Sequence, residues 1–351
     1  TTEFSGAIFL TYTLNLGFFE QIVQPTLEKV GCQNILILSD PDGYSDAIKY
    51  GRKKVRFAGT RYVCTFVPRI ENYVQHIKLI YLIGPNSGKI LIGSGNLTLH
   101  GYSNNFEVFT QFGYNRHNHD PVSHYAFNSV NKFLKSLIDK KLSTKITKNQ
   151  YNKIIEKVTW VDEEPEIPER LRIWHNFEES IWSQLSSWIN ASQFSGKSLK
   201  KLFVFSPYFD SNFDMLNKFM TEFHPDELSV HISLENSNFN GLNLRKNWHE
   251  GVDLPNLYAI KDGIEGRYER YLHGKVIIGK EESGAWCLAG SANMTRAAFD
   301  RSWSDGSNLE MVVFRWSTNP DEFDYLIDQV SWKKPLQLTD LQSPITSFRS
   351  D

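Results

Sequence analysis

Short apolar runs that stop at a turn signal recur along the chain. Asn34 to Ser39 (NILILS) ends before Asp-Pro, and Leu202 to Ser206 (LFVFS) ends at Ser-Pro, as buried strands do where they enter a turn. Arg61 to Val67 and Leu228 to Ser233 predict second strands, with helical stretches between, and Glu178 to Ile189 predicts a helix. Because both halves show this succession, we expect a layered α/β fold in which the first two runs are equivalent strands.

A sequence repeat relates the two halves. The segments 76–78 (HIK) and 93–98 (GSGNLT) return as 273–275 (HGK) and 290–295 (GSANMT). The shared His, Lys, Gly, Ser, Asn and Thr all recur at one offset of 197 residues. A repeat of this length decides the architecture before local propensities do, so we expect two similar lobes.

The segment between the repeats separates the lobes. Residues 131–158 carry eight lysines with helical apolar spacing, which we interpret as a solvated helix face. The acidic, proline-bearing residues 161–170 (VDEEPEIPER) have the composition of a linker. We therefore predict an N-terminal lobe at 1–160, a linker at 161–175 and a C-terminal lobe at 176–351.

Composition indicates a folded protein of 351 residues, since 40% are hydrophobic and 22% charged. The chain has 38 Lys plus Arg against 40 Asp plus Glu, a net charge of -2. This balance excludes a protein that holds polyanions by overall charge, so contact with nucleic acid needs a local patch. The basic run that we expect to follow a phosphate backbone comprises Arg52, Lys53, Lys54, Arg56 and Arg61.

The cysteines, the apolar runs and the N-terminus indicate the cellular compartment in which we expect the protein. Cys32, Cys64 and Cys287 are far apart and odd in number, which favours neither a disulfide framework nor a zinc site. The chain shows no apolar run that could cross a bilayer and no secretory signal, so we expect no membrane partner and a cytoplasmic location. It begins Thr-Thr without Met, so we expect a longer protein in which a further domain or a partner protein supplies targeting.

The repeated motif places chemistry-bearing side chains together. Strand alternation puts His76 and Lys78 on one face, and a turn carrying Asn96 follows about twenty residues later. Two such copies predict lobes that face each other across a pseudo-twofold axis and pool two His, two Lys and two Asn in one composite active site. Lys and Asn donors stabilise phosphate oxygens, while one imidazole attacks phosphorus and the other protonates the departing oxygen. With so many fixed donors, we expect neither a metal nor another cofactor.

The doubled His-x-Lys and Gly-Ser-x-Asn pattern resembles the phospholipase D superfamily. The lipases of that family carry Asp five residues after the Lys, where this chain has Ile83 and Lys280. The motif without this Asp is similar to that of the His-Lys-Asn branch, which includes tyrosyl-DNA phosphodiesterase and metal-independent restriction endonucleases. In that branch a Glu or Gln supports a catalytic His, and Glu107 and Glu310 occupy the matching places, the second delayed by six residues. The resemblance implies two phospholipase D-like α/β/α lobes.

The resemblance also implies residue roles. His76 would be the nucleophile that forms a phosphohistidine, and His273 the general acid and then the base for water. The glutamates Glu107 and Glu310 would fix the imidazole tautomers. The phosphate would be held by Lys78, Lys275, Asn96 and Asn293. We expect Ser94 and Ser291, assigned to the substrate-binding turns, to support the site without entering the chemistry.

Three aromatic residues are candidates for stacking on nucleobases: Tyr102, Tyr208 and Trp303. Core packing explains each of them equally well, so both interpretations stay open. The function hypothesis is a metal-independent phosphodiesterase, a nuclease that cleaves DNA rather than RNA through a phosphohistidine. The alternatives are an enzyme that hydrolyses phospholipids or transfers phosphatidyl groups, and a nucleic-acid-binding pseudoenzyme. The missing lipase Asp argues against the lipid alternative, and the intact double motif argues against the pseudoenzyme.

Overall fold

Two mixed β-sheets organise the chain. The computed structural model describes residues 3–51, 55–118, 120–142, 144–191, 199–233, 237–248, 253–259, 271–328 and Leu336. The strands of the first sheet are β1 (Gly6–Thr11), β2 (Asn34–Ser39), β3 (Val63–Phe66), β4 (Lys78–Ile83), β5 (Ser87–Gly93) and β6 (Phe109–Asn115). Their order is β3-β2-β1-β4-β5-β6, in which β1 pairs parallel with β2 and antiparallel with β4.

Helices cover both faces of the first sheet. They are α1 (Leu16–Phe18), which continues as a π-helical turn (Phe19–Val23), α2 (Gln24–Lys29), α3 (Pro41–Gly51), α4 (Leu99–Ser103), α5 (Pro121–Lys141) and α6 (Lys145–Ile155). Asp120 caps α5 by accepting hydrogen bonds from the backbone N–H groups of Val122 and Ser123. Side chains of α5 and α6 pack on one face of the sheet, and those of α2, α3 and the π-helical turn pack on the other.

The second sheet repeats this arrangement and adds one strand. Its strands are β7 (Leu171–His175), β8 (Lys201–Phe205), β9 (Glu227–Ile232), β10 (Asn256–Ala259), β11 (Val276–Lys280), β12 (Ala285–Gly290) and β13 (Met311–Ser317). Their order is β10-β9-β8-β11-β12-β13-β7. The helices are α7 (Ile181–Ala191), α8 (Asp214–Phe223), α9 (Gly241–Asn247), α10 (Arg296–Phe299) and α11 (Asp324–Asp328). The two-sheet α/β architecture predicted from the repeat is confirmed.

The strand orders show which strands are equivalent. The central strand of the first sheet is β1, and its counterpart in the second sheet is β8. The run at Asn34–Ser39 therefore corresponds to β9 rather than to Leu202–Ser206, so the predicted equivalence was wrong. Both runs are buried and both end in a proline turn, and this local signal does not identify a strand's neighbours in the sheet. The sequence analysis also missed β1, although all six of its residues are buried.

The predicted linker is shorter in the structure. Leu171–His175 is strand β7, which pairs antiparallel with β13, and a 3-10 turn occupies Trp160–Asp162. Within the expected linker, only residues 163–170 lie outside regular elements. Ile173 packs in the same apolar cluster as Phe133 of α5, so the two sheets share a core. The division into lobes at residues 160 and 176 stays a prediction.

Trp160 anchors the connection between the lobes to the first sheet. It is 0% exposed, its ring stacks on Tyr114 with centroids 3.8 Å apart, and Nε1 donates to the Gly84 carbonyl at 3.0 Å. We predict that Trp160→Ala lowers the free energy of unfolding by about 3–5 kcal/mol in urea titrations, because it leaves a cavity and an unpaired carbonyl. Trp160→Phe, which keeps the ring contact, should cost less. A loss below about 1 kcal/mol for Trp160→Ala would contradict this role.

Candidate active site

The two His-x-Lys motifs lie where β4 and β11 begin. His76 and His273 are each 7% exposed, and Lys78 and Lys275 are 1% and 2% exposed. The Lys78 ammonium donates to the His76 carbonyl at 2.7 Å, and the Lys275 ammonium donates to the His273 carbonyl at 2.5 Å. Each lysine is thereby held beside its own histidine, with further donor hydrogens available to a ligand. Both histidines precede their strands, so this contact does not depend on strand alternation.

Backbone bridges join each His motif to the other lobe. A parallel bridge pairs Gln75 with Leu309, and another pairs Phe106 with Leu272. The His76 N–H donates to the Leu309 carbonyl at 2.9 Å, and the His273 N–H donates to the Phe106 carbonyl at 3.0 Å. These pseudo-symmetric bridges lay each histidine beside the segment of the opposite lobe that carries a glutamate.

The imidazoles and the carboxylates pair across the lobes. Nδ1 of His76 lies 3.0 Å from both carboxylate oxygens of Glu310, and Nδ1 of His273 lies 2.8 and 2.9 Å from those of Glu107. A carboxylate accepts only, so each Nδ1 carries the hydrogen and each Nε2 keeps its lone pair in the neutral ring. The pairing is crossed, which the sequence analysis did not anticipate.

Ser94 and Ser291 hold the two carboxylates. The Ser94 hydroxyl donates to Glu107 at 2.5 Å and accepts from the Val108 N–H at 2.9 Å. The Ser291 hydroxyl donates to Glu310 and accepts from the Met311 N–H at 3.1 Å. Both hydroxyls therefore orient a glutamate. This corrects their assignment to substrate binding and agrees with a supporting role.

The asparagine turns are tied to the ends of the two central strands. The Leu97 N–H donates to the Thr11 hydroxyl at 2.9 Å, and the Met294 N–H donates to the Ser206 hydroxyl at 3.0 Å. Asn96 Oδ1 accepts from the Thr13 N–H at 3.3 Å, which directs the amide nitrogen elsewhere. Asn293 is 7% exposed, and its Oδ1 is buried without a hydrogen-bond partner within the described chain.

Burial and like charge shape the electrostatics of the pocket. Burial lowers the pKa of His76 and of His273, and the nearby ammonium groups lower both further, against the opposing effect of the paired carboxylates. Burial and the neighbouring Lys275 lower the pKa of Lys78 well below its usual value. Burial lowers the pKa of Lys275 to about 8, although both glutamates oppose this. The groups therefore share one pocket of low dielectric, in which a bound anion would favour their protonated forms.

Glu107 remains ionised in this environment. Burial raises the pKa of its carboxyl group, but His273, Lys275 and the Ser94 hydroxyl outweigh burial and hold the pKa at about 2. An ionised carboxylate at Nδ1 stabilises the positive charge that a histidine gains when Nε2 takes a proton. The pair is thus suited to general acid and base catalysis.

Tyrosines surround the two imidazoles. The Tyr12 ring packs edge-on against His76 with centroids 5.4 Å apart, and the Tyr271 ring lies 5.5 Å from His273. The Tyr271 hydroxyl donates to the Tyr208 hydroxyl at 3.1 Å, so one of the predicted stacking residues stands next to the site. The sequence analysis missed Tyr12 and Tyr271. In the sequence, the only signal for Tyr271 is its position two residues before His273.

The other two aromatic candidates lie elsewhere. Trp303 is 1% exposed and stacks on Phe177 with centroids 5.5 Å apart, so core packing explains it and the stacking role is wrong. Tyr102 is 40% exposed on α4, and its ring contacts are with Phe18 and Phe109. Its ring lies beside apolar neighbours rather than against either imidazole.

Asn176 is a further residue that the sequence analysis missed. Its Oδ1 accepts from the Glu310 N–H at 2.8 Å, and its Nδ2 donates to the Asn308 carbonyl at 2.5 Å. It therefore fixes the backbone that carries Glu310. No local pattern marks this residue in the sequence, because its partners are more than a hundred residues away.

The basic candidates outside the pocket have other roles or lie outside the described residues. Arg52, Lys53 and Lys54 belong to the latter group. Arg61 pairs with Glu28 at 2.9 Å. Lysines of the 131–158 stretch form exposed ion pairs, such as Lys132 with Glu164 at 3.1 Å, as expected of a solvated helix face.

The described residues contain neither a candidate metal site nor a candidate membrane span. In that part of the chain, no group of three or more His, Cys, Asp or Glu side chains could hold a metal ion. No described helix has both the length and the apolar character that crossing a membrane requires. The three cysteines are unpaired, and burial raises the pKa of each thiol to about 12.

The architecture is similar to that of yeast tyrosyl-DNA phosphodiesterase. One structure of that protein aligns with a TM-score of 0.54 and 15% identity, over 91% of this chain and 86% of the other. A His-to-Ala mutant of it aligns with a TM-score of 0.56 and 15% identity, over 91% and 84%. These matches show that the chain shares its two-lobed α/β fold with that phosphodiesterase, which is the fold that the resemblance implied.

The remaining comparisons add little. NucT from Helicobacter pylori aligns at 15% identity with 45% of this chain and 91% of its own, but its TM-score of 0.27 is too low to support a conclusion. No protein-family model matches the sequence, and the comparison with curated proteins finds no match either.

Four histidines with lowered pKa values predict a pH-dependent stability. Burial lowers the pKa of His76, His175, His231 and His273 from the usual value of 6.5. Below pH 6.5 the unfolded chain binds protons that the folded chain does not, so acidification favours unfolding. We predict that the free energy of unfolding in urea falls between pH 7.5 and 5.5 by on the order of 1 kcal/mol per histidine. His175→Phe should reduce this decrease by the contribution of one histidine. An increase in the free energy of unfolding on acidification would contradict the prediction.

Proposed function

We propose that this protein is a phosphodiesterase that cleaves nucleic acid, preferring DNA to RNA, through a covalent phosphohistidine. The observation that carries the proposal is the pair of crossed imidazole–carboxylate contacts flanked by two buried lysines. The arrangement offers two Nε2 atoms, one to attack phosphorus and one to move a proton. The ammonium groups of Lys78 and Lys275 supply positive charge for the phosphate oxygens.

In the first step, the Nε2 lone pair of one neutral histidine attacks phosphorus as the bond to the departing nucleotide oxygen breaks. The second histidine, protonated at Nε2, gives its proton to that oxygen. Burial and the nearby ammonium groups lower the pKa of this histidine, and the negative charge of a phosphate bound between the lysines raises it. Substrate binding itself therefore favours the protonated acid. Glu107 and Glu310 stabilise the charge that develops on their respective imidazoles.

In the second step, the histidine that acted as the acid is neutral, and it takes a proton from water as the water oxygen attacks phosphorus. The P–N bond breaks, and the nucleophilic histidine returns to its neutral state. Following the family resemblance, we assign His76 as the nucleophile and His273 as the acid and base. Asn96 and Asn293 then hold the phosphate together with the lysines.

Two features support nucleic acid as the substrate. Tyr12, Tyr208 and Tyr271 lie around the imidazoles, and aromatic side chains at a phosphate site can stack on bases of any sequence. The choice of DNA follows the fold shared with tyrosyl-DNA phosphodiesterase. The positions of the missing lipase Asp carry structural residues instead, since Ile83 is buried and Lys280 pairs with Asp324 at 2.8 Å.

The setting of the enzyme is also part of the proposal. Three unpaired cysteines suit a reducing compartment, and we infer a cytoplasmic location. A further domain or a partner protein would direct the enzyme to its substrate, because the net charge of -2 provides no general attraction to DNA.

Cleavage should not require a metal ion, because ammonium, amide and imidazole donors supply the positive charge at the phosphate. We predict that the purified protein cleaves labelled DNA at an unchanged rate in millimolar EDTA. RNA and phosphatidylcholine serve as parallel substrates and should be cleaved more slowly or not at all. Loss of activity on chelation and its return with Mg²⁺ would refute the donor-only mechanism.

Replacement of each of the two histidines should have a different effect on formation of the covalent adduct. Without its acid and base, His273→Ala retains a nucleophile that can attack thymidine 5′-(p-nitrophenyl phosphate), whose leaving group needs no protonation, and then stalls. We predict that mass spectrometry finds the nucleotidyl adduct on His76 in this variant. The His76→Ala variant should form no adduct. Both replacements should slow DNA cleavage at least about a hundredfold.

His100→Ala is the matched control, since this histidine is exposed on α4 outside the pocket and its loss should leave turnover intact. An adduct on His273 would reverse the assignment of the two roles. If no variant forms an adduct while the parent protein cleaves, water attacks phosphorus directly and the covalent mechanism is wrong.

A further inference from the structure

A cleft between the lobes lies behind the catalytic carboxylate Glu107. It encloses about 370 Å³ and is bounded by the start of β6, by inward residues of β12 and β13, and by α11. Its volume falls within the range of small-molecule sites, roughly 300–1,000 Å³. Glu107 and Val108 line the cleft directly, so it reaches the segment that orients His273.

Pseudo-symmetry explains why this cleft is open. The equivalent space on the other side of the axis is filled by β7, which pairs with β13, and by apolar side chains of α5. Among the described strands, β6 pairs only with β5, so nothing corresponds to β7 at its outer edge. Within the described residues, the connection between the lobes at residues 160–175 fills only one of the two equivalent spaces.

The two lobes also differ at equivalent positions of the sheet faces that border these spaces. In the first lobe Ile90 pairs with Phe112, and the equivalent pair in the second lobe is Cys287 with Arg315. The second lobe thus has a small side chain and a charged one where the first lobe has two large apolar ones, and both Cys287 and Arg315 line the cleft. An apolar core does not need such a change.

Arg315 has no ion pair or side-chain hydrogen bond with any described residue. Its guanidinium lies over the Phe323 ring, 5.8 Å from the centroid, and is partly buried. A guanidinium that faces a cleft without an acceptor is available to an anionic ligand, and a phosphate would accept two parallel hydrogen bonds from it. The remaining lining combines apolar surface, from Val108 and Leu326, with the polar side chains of Thr110 and Gln111.

We propose that this cleft is a second ligand site, which binds a small phosphate monoester with a planar body, of the size of a mononucleotide. The phosphate pairs with Arg315, and the planar body lies against Phe323 and Val108. A bound ligand presses on the segment that carries Glu107 and disturbs its contact with His273. The inference that the ligand is a reaction product, and therefore an inhibitor, rests on the proposed function.

Binding can be measured without turnover. We expect calorimetric titration of the full chain with thymidine 5′-monophosphate to show two sites, the catalytic pocket and the cleft. Arg315→Gln should remove one site or weaken it at least about tenfold, as loss of a charge-assisted pair does. Thr110→Trp, which fills the cleft and keeps the arginine, should remove the same site. Arg116→Gln, which deletes an exposed arginine just beyond β6, is the matched control and should bind like the parent protein.

Kinetics test the link to Glu107. Thymidine 5′-monophosphate should inhibit hydrolysis of the p-nitrophenyl ester with a noncompetitive component that Arg315→Gln abolishes. Two-site binding that is unchanged in both cleft variants, or a single site in the parent protein, would overturn the proposal. If the cleft binds but no variant or parent hydrolyses the ester, the second site stands and the proposed function fails. Purely competitive inhibition would overturn the link to Glu107.

Discussion

The contact between an imidazole of one lobe and a carboxylate of the other is the constraint on which this active site depends. Glu310 holds His76 and Glu107 holds His273, so neither lobe contains a complete imidazole–carboxylate pair. The parallel backbone bridges at Gln75 and Phe106 set the register that makes both contacts possible. A small shift between the lobes would separate both histidines from their partners, which explains why a shared apolar core joins the two sheets.

The same arrangement concentrates charge in a buried pocket. Two ammonium groups and two carboxylates lie together where water is excluded, and burial lowers the pKa of the histidines and of both lysines. The pocket residues by themselves therefore stabilise these cations weakly. Under the proposed function, a phosphodiester would supply the missing negative charge, strengthen each charged hydrogen bond and favour the protonated acid. Stability at low pH is reduced as a consequence of the same burial.

Departures from symmetry coincide with the cleft that we propose as a second ligand site. The catalytic pairs, the serine supports and the asparagine turns follow the pseudo-twofold relation closely. The spaces between the lobes do not, because a single connection fills one of them with β7 and α5. On the open side, Arg315 stands where the first lobe has a phenyl ring. A charged side chain at that position does not contribute to an apolar core, whereas it can bind an anionic ligand.

The sequence by itself determined the repeat, the two-lobed α/β fold and the doubled set of His, Lys and Asn side chains, because a motif repeated at one offset carries that information locally. The candidates Glu107 and Glu310 came from the family resemblance, since they do not share that offset. It did not reveal that β1 rather than β2 is the counterpart of β8, since apolar runs ending in proline turns look alike whatever their neighbours. It also left Trp303 open between core and site. Only the tertiary structure decided the crossed partnerships and the roles of Ser94, Tyr271 and Asn176. Those contacts join residues of different lobes or distant strands, and their pairing depends on sheet order and interlobe register, which no local pattern encodes.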